Sequence, residues 1–436
     1  MKRILVVFPT VWDRRQLDAC REVWSARFEP VFAEPTAERV LYDFDVLGYI
    51  DEMAERWRGR IDGVTSASDY PGATVAAAIA TRVGLPGSRP EAVLGCSHKY
   101  LSRLGQRRAV PEATPGFALV DSGAPEAVAA ELAYPCFVKP VKGAYSIHSG
   151  RVDSPEELVA FLSTENVREF TSGYMKMFDR LVGRYLGSAV GGRYFLAEEL
   201  LGGRLVTVEG FVQGGRVEIL GITDSVTDPA TGSFIRFDYP SDLPAAVQER
   251  MAEITARAVA AAGLDATLFN LELIWDPATG RLSIVEINPR MCGQFSDLYA
   301  KVDGVSGYEI ALALAAGERP ALRRRAGRHA VAASVPLRLF EPVRVARAPD
   351  AADLAAAEAL FPGTLIWNEC ATGDRLADFD LWEDGRSRRY AVVNLGAPDR
   401  AAILERLDRV RERLGYRFEP LELEDEALAR KLEQRK

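Results

Sequence analysis

The stretch TLFNLELIWDPATGRLSIVEINPR, residues 267–290, is two runs of alternating polar and apolar residues about the turn DPATG, residues 276–280. Alternation at period two marks half-buried strands, and the turn between them suits an antiparallel hairpin. Side chains two apart in a strand share a face. Asn270 and Glu272 therefore point one way, and so do Glu286 and Asn288. If the strands pair through the turn, these four oxygen-bearing groups meet, while Leu271, Leu273, Val285 and Ile287 face the core. Hard cations such as magnesium take carboxylate and amide oxygens and sit against substrate phosphates. Arg290 adds a guanidinium fork suited to phosphate beside that cluster. An ordinary hairpin with a polar face fits the same alternation, and the pattern alone leaves both readings open.

Working outward, the next chemistry-bearing stretch is FVKPVKGAYSIHSG, residues 137–150. Lys139 ends an apolar strand, and Lys142, Gly143 and Ser146 follow in a turn. Glycine lets backbone approach a phosphate, loop amides can cradle an anion, and lysine supplies a mobile charge. A lysine before a glycine is common, so spacing alone is weak evidence. Neither a GxxxxGK[ST] loop nor a GxGxxG fingerprint occurs. Glu198 and Glu199 in FLAEELL read either as a solvated strand end or as a segment that holds a purine. His148 sits in the glycine-bearing loop within reach of phosphate or substrate, whereas Ser97, His98 and Lys99 are only sequence neighbours and make no triad.

The rest of the chain sets these stretches in a frame. The run ILVVF, ended by Pro9, reads as a buried parallel strand. VLYDFDVL and IDGVTSAS read as strand-loop units, and TVAAAIATRVGLPG as a helix closed near Gly84. Alternating strands and helices over the first 90 or so residues predict a small α/β domain with a parallel sheet. Ser154 is a candidate N-cap with Glu157 three residues on. Gln213, Gly214 and Gly215 fit a hairpin turn, and residues 243–262 a long amphipathic helix. Strands return from Val331, a helix closes at Leu414, and a densely charged segment ends the chain as a surface helix or frayed tail.

Composition narrows the function classes. The 436 residues exceed one simple core, so two or three domains are expected. A net charge of -8 argues against polynucleotide binding but leaves room for a local basic pocket. Five scattered cysteines without a CxxC argue against a disulfide framework or zinc site and for a reducing, cytoplasmic setting. The N-terminal run reads as a strand rather than a signal peptide, and no window approaches a membrane span.

Taken in order, Lys99, YPCFVKP with Lys139 and Ser146, AEELLGG, VTVEG, FNLE and VEINPRMCG resemble the ATP-grasp superfamily over roughly residues 1–320. The resemblance implies a mixed α/β fold with an N-terminal parallel-sheet domain at 1–95. An ATP-grasp domain follows at 96–320, with a lid at about 112–197 and a metal-binding part at about 198–320. A C-terminal strand-rich extension at 321–436 completes it. By the same resemblance Lys99, Lys139, Lys142 and Ser146 meet phosphate, Glu198, Glu199 and Leu201 form the adenine hinge, and Glu272, Glu286 and Asn288 hold magnesium. Arg290 contacts phosphate and the acyl-phosphate intermediate, with Lys139 its catalytic companion. Leu205 stands where many members carry the acidic ribose ligand, and Glu209 is the next acidic candidate; Cys292 replaces a common glycine.

The implied cofactors are ATP and two Mg2+ ions, with Mn2+ as a substitute. The implied partners are a small carboxylate and an amine, without nucleic acid or membrane, and a homodimer is the commonest oligomeric choice. GTLIWNE, RRYAVVNLG and the closing helix are similar to the amino-acid and dipeptide ligase branch. The carboxylate pocket is sought in the first domain and around Arg236, Tyr239 and Lys301, with surface solubility the alternative for each. Rival readings are a D-alanine-ligase-like or carboxylase-type enzyme with another acceptor, and a nucleotide-binding protein without catalysis.

Overall fold

In the computed structural model, residues 1–34, 44–143, 147–377 and 386–421 are described. The N-terminal strands form a parallel three-stranded sheet in the order Phe28–Ala33, Lys2–Val7, Gly63–Thr65. The central strand buries Ile4, Leu5, Val6 and Val7 on both faces, as an all-apolar run requires. Helix Thr74–Val83 closes with Gly84 in the left-handed conformation at φ 73°, which satisfies the helix end without a Cβ clash. The expected strand-loop unit VLYDFDVL is corrected in its described part. Asp45 caps a helix, Val46–Trp57, by accepting from the Gly48 N–H, so capping chemistry overrides the strand propensity of Val46.

A second sheet of four antiparallel strands runs Phe117–Asp121, Tyr194–Glu199, Cys136–Pro140, Gly150–Val152. Ser154 caps the following helix, Pro155–Leu162, through the Glu157 N–H, as its spacing predicts.

The largest sheet has eight antiparallel strands. Their order is Leu282–Asn288, Thr267–Trp275, Arg204–Gln213, Arg216–Thr227, Phe234–Tyr239, Val331–Leu339, Arg388–Ala397 and Leu365–Asn368. Gly214 and Gly215, at φ 58° and 73°, make the tight turn that joins two of its strands. Helix Ala245–Ala262 covers one end of this sheet through Met251, Ile254 and Val259, packed on Val208, Leu271 and Ile284. The C-terminal strands extend the same sheet, and helix Arg400–Leu414 packs Ile403, Leu407 and Val410 on them. The architecture is thus mixed α/β with an N-terminal parallel sheet and a C-terminal strand-rich region.

Helix Val11–Ala19 reaches across to the C-terminal strands, where Trp12 stacks on Trp367 with centroids 5.0 Å apart. All five cysteines are free thiols. No helix among the described residues is long and apolar enough to cross a membrane. The charged segment from residue 422 onward lies outside the described residues.

Candidate active site

The hairpin pairs as its alternation predicts. Asn270 stands opposite Asn288, and Glu272 opposite Glu286. Strand Arg204–Gln213 lies on the other side and sets Glu209 beside Asn270 and Thr207 beside Glu272. The result is one polar face across three strands. The Asn288 amide donates to Glu286 Oε1 at 3.1 Å and approaches Asn270 Oδ1 at 3.4 Å.

One register detail differs from expectation. Val285 is half-buried and does not face the core; a bulge after Glu272 pairs Leu273 with Ile284 instead. The extra residue keeps both Ile284 and Ile287 inside while Glu286 stays on the polar face. It also turns the Val285 carbonyl toward the basic residues, where Arg103 Nη2 donates to it at 2.8 Å and Lys139 Nζ at 3.3 Å.

Lys99 opens helix Lys99–Ala109. His98 caps this helix: its Nδ1 accepts from the Leu101 N–H, so the other ring nitrogen donates to the Val190 carbonyl at 2.9 Å. From that start Lys99 Nζ reaches the Gly143 carbonyl at 2.9 Å and Glu286 at 3.2 Å. Lys139, on the central region of the four-stranded sheet, pairs with Glu198 at 2.7 Å. Glu198 is held from the other side by Arg103 at 2.7 Å. Burial pulls the Lys139 ammonium down to about 8, against the attraction of Glu198. Lys142 is buried and donates to Asp69 at 3.1 Å. Arg290 Nε lies 4.0 Å from the same carboxylate.

The two hairpin carboxylates are electrostatically linked. Burial raises the Glu272 carboxyl and the neighbouring Glu286 charge raises it further. Burial also opposes charge on Glu286, but Lys99 and Lys139 outweigh it and hold this carboxyl low. Among the described residues no group of three or more His, Cys, Asp or Glu side chains comes together to hold a metal. The oxygen donors gathered are two carboxylates and the Asn288 amide. All are hard oxygen groups, and the Glu272 carboxylate is destabilised by a like charge, so the set suits a divalent cation completed by phosphate oxygens or water.

The other candidates sit as follows. Glu209 is buried; its carboxylate accepts from the Cys292 N–H at 2.7 Å and the Asn270 amide at 3.2 Å, and burial raises it. Glu199 is paired with Arg281 and accepts from the Gly116 N–H at 3.2 Å, while Leu201 is half-buried just past the strand end. Ser146 and Tyr145 lie outside the described residues. His148 packs its ring 4.8 Å from Phe170. Burial pushes the Cys292 thiol up to about 12, which keeps it protonated. Tyr239 is buried and donates to Asp303, Lys301 pairs with Asp297, and Arg236 pairs with Asp238 at 2.9 Å.

Two residues escaped the sequence reading. Arg103 stands one helical turn after Lys99, and that i, i+4 spacing of two cations was the available signal. Asp69 follows the carboxyl end of strand Gly63–Thr65, the end at which open parallel sheets bind ligands.

Residues 132–297 match the family model of the ATP-grasp domain. A comparison with curated protein sequences finds no match. Among solved structures, the L-amino acid ligase of Bacillus licheniformis is similar with a TM-score of 0.70 at 16% identity, covering 97% of this chain and 99% of that one. Carboxyaminoimidazole ribonucleotide synthase of Aspergillus clavatus, complexed with ATP, gives 0.66 at 14% identity, over 95% and 98%. The biotin carboxylase domain of the Hydrogenobacter thermophilus 2-oxoglutarate carboxylase, a dimer with MgADP, ADP and bicarbonate, gives 0.65 at 16%, over 96% and 90%. The chain thus has the ATP-grasp fold and holds an ATP-grasp domain at residues 132–297.

Proposed function

We propose that this chain is an ATP-dependent carboxylate-amine ligase that forms an amide through an acyl phosphate and releases ADP and phosphate. The observation that carries the reading is the opposition of Lys99, Lys139, Lys142 and Arg290 to the oxygen face of Glu272, Glu286 and Asn288, in contact through Lys99 and Glu286 at 3.2 Å. Glu272, Glu286 and Asn288 are the residues that would hold magnesium, which when bound neutralises charge on the phosphoryl oxygens. The likeness in fold to an L-amino acid ligase over nearly the whole of both chains supports amino acids as the substrate class, with the domain division at 95 and 320 retained as part of this proposal.

The chemistry follows from the charges. A carboxylate is a poor acyl donor until one of its oxygens becomes a leaving group. Its oxygen attacks the γ-phosphorus and the bond to the β-phosphate oxygen breaks, so ADP leaves. Lys99, Lys139, Lys142 and Arg290 are suited to meet the charge spread over the transferring oxygens. The uncharged amine nitrogen then attacks the acyl carbon, the bond to the phosphate oxygen breaks, and the departing phosphate carries off the proton that the nitrogen loses. No side chain acts as nucleophile, in keeping with the protonated Cys292 thiol.

The test is a mass-spectrometric screen of acids and amines, amino acids first, with ATP and magnesium. Amine-dependent ADP and phosphate are expected, and a chelator should abolish them until magnesium is restored. AMP and pyrophosphate would indicate adenylate chemistry instead. Nucleotide binding without turnover across the panel would refute the ligase reading.

A further inference from the structure

Asp69 has no role in the reaction as described so far, yet it touches two of its cations. It opens the turn Asp69–Ala73, just past the carboxyl end of strand Gly63–Thr65. Gly72 lets this turn close tightly, since a Cβ there would come within 2.5 Å of Ser68. Oδ2 of Asp69 accepts from Lys142 at 3.1 Å. Oδ1 is buried without a hydrogen-bond partner, and Arg290 Nε stands 4.0 Å away. A buried carboxylate oxygen left unbonded is unfavourable, and an N–H donor on a ligand would satisfy it.

Lys142 and Arg290 are also the groups that the proposed reaction directs at phosphate. In the structure Asp69 serves as their counter-ion. Burial opposes its charge, but Lys142 and Arg290 outweigh this and hold the carboxyl well below the usual carboxylate range. A nucleotide brings several anionic oxygens that compete for both cations. Once they turn to phosphate, Asp69 is an anion in need of a new partner. The second substrate is an amine, which at neutral pH arrives as an ammonium with three N–H donors.

We propose that Asp69 binds the ammonium group of the amine substrate, and that nucleotide phosphate opens this subsite by drawing Lys142 and Arg290 away from it. Nucleotide therefore binds first and the amine second. This rests on the ligase reading above. Asp69 holds the nitrogen in place as an ion pair; the ammonium gives one proton to water before the free amine attacks, and the proton shed on bond formation leaves with phosphate. The exchange also couples the sites, because Asp69 and phosphate compete for the same two cations.

The experiment compares the full chain with Asp69→Asn and Asp69→Glu. Calorimetry measures binding of MgADP and of the magnesium salt of a non-hydrolysable ATP analogue. Turnover is measured with the standard amino acids and, separately, with hydroxylamine, which is mostly uncharged at neutral pH and traps acyl phosphates. Asp69→Asn is expected to bind MgADP a few-fold more tightly, to raise KM for the amino-acid amine at least about tenfold, and to lose much less turnover with hydroxylamine than with amino acids. In the parent, amino-acid amine binding should require the ATP analogue. An unchanged amine KM, equal losses with hydroxylamine and amino acids, or amine binding without nucleotide would overturn the proposal. If the parent shows no amine-dependent turnover, the ligase reading fails, and unchanged MgADP affinity in Asp69→Asn separately overturns the counter-ion exchange. If Asp69→Asn does not fold, Asp69→Glu retains the charge but moves it by one methylene. A raised amine KM with unchanged MgADP affinity then supports the proposal, and an unchanged KM defeats it.

Discussion

At the scale of single residues, the site is a set of charges each held by a specific neighbour. Glu286 is the hub, because it meets Lys99, Asn288 and the like charge of Glu272. Glu286→Gln keeps the shape and removes the charge. Turnover is expected to fall at least about 100-fold, while the chain still folds, because the glutamine keeps the oxygen that accepts from the Asn288 amide. Normal turnover in that variant would refute the metal assignment. His98 yields a pH prediction. Burial lowers its pKa below the ordinary 6.5, so the folded chain keeps the imidazole neutral while the unfolded chain protonates it. Its contribution is complete above about 6.5 and is lost as pH falls from there through the folded value. Protonation would also remove the acceptor that caps the Lys99 helix. His98→Asn retains a capping side chain and should flatten the acid limb of thermal stability between pH 7 and 5, measured by melting at each pH; an unaltered limb would show that His98 does not set it.

At the scale of elements, the hairpin shows how far the chain can be read. Alternation gave the pairing of Asn270 with Asn288 and Glu272 with Glu286, since period-two patterning encodes both the strand and its buried face. It could not give the bulge at Val285. A bulge is one residue without a pairing partner, and its carbonyl acquires meaning only from Arg103 and Lys139, which are 182 and 146 residues away in sequence. Deleting Val285 would leave regular alternation, with Ile284 and Ile287 inside and Glu286 on the polar face. The chain should therefore fold, but Arg103 and Lys139 would lose a shared acceptor. A stability loss of about 1–3 kcal/mol and weaker nucleotide binding are expected by denaturant titration and calorimetry. Unchanged nucleotide affinity would show the bulge carbonyl to be dispensable.

At the scale of the whole molecule, the eight-stranded sheet joins the oxygen face at one end to the C-terminal strands at the other. Val331–Leu339 pairs directly with Phe234–Tyr239. The stack of Trp12 on Trp367 and the bond from Arg15 to the Ile366 carbonyl tie the N-terminal helix to the same region. A chain ending at residue 320 would expose the long edge of Phe234–Tyr239 and leave Trp12 without its partner. Such a chain is expected to aggregate, as judged by soluble yield and size-exclusion chromatography. A soluble monomer with the parent melting temperature would show the C-terminal strands to be an independent unit.

The sequence by itself determined what short-range chemistry records: the period-two hairpin, the Ser154 and Gly84 caps, the Gly214-Gly215 turn, the buried first strand and the order of the basic and acidic stretches. Each depends on residues a few positions apart, whose spacing survives in the chain. Only the tertiary structure decided that Glu198 is shared by Lys139 and Arg103, that Asp69 stands between Lys142 and Arg290, and that the C-terminal strands continue the sheet carrying the site. Those arrangements are electrostatic and packing contacts between segments tens to hundreds of residues apart. They exist only where the fold removes water between opposite charges, and no local spacing encodes them.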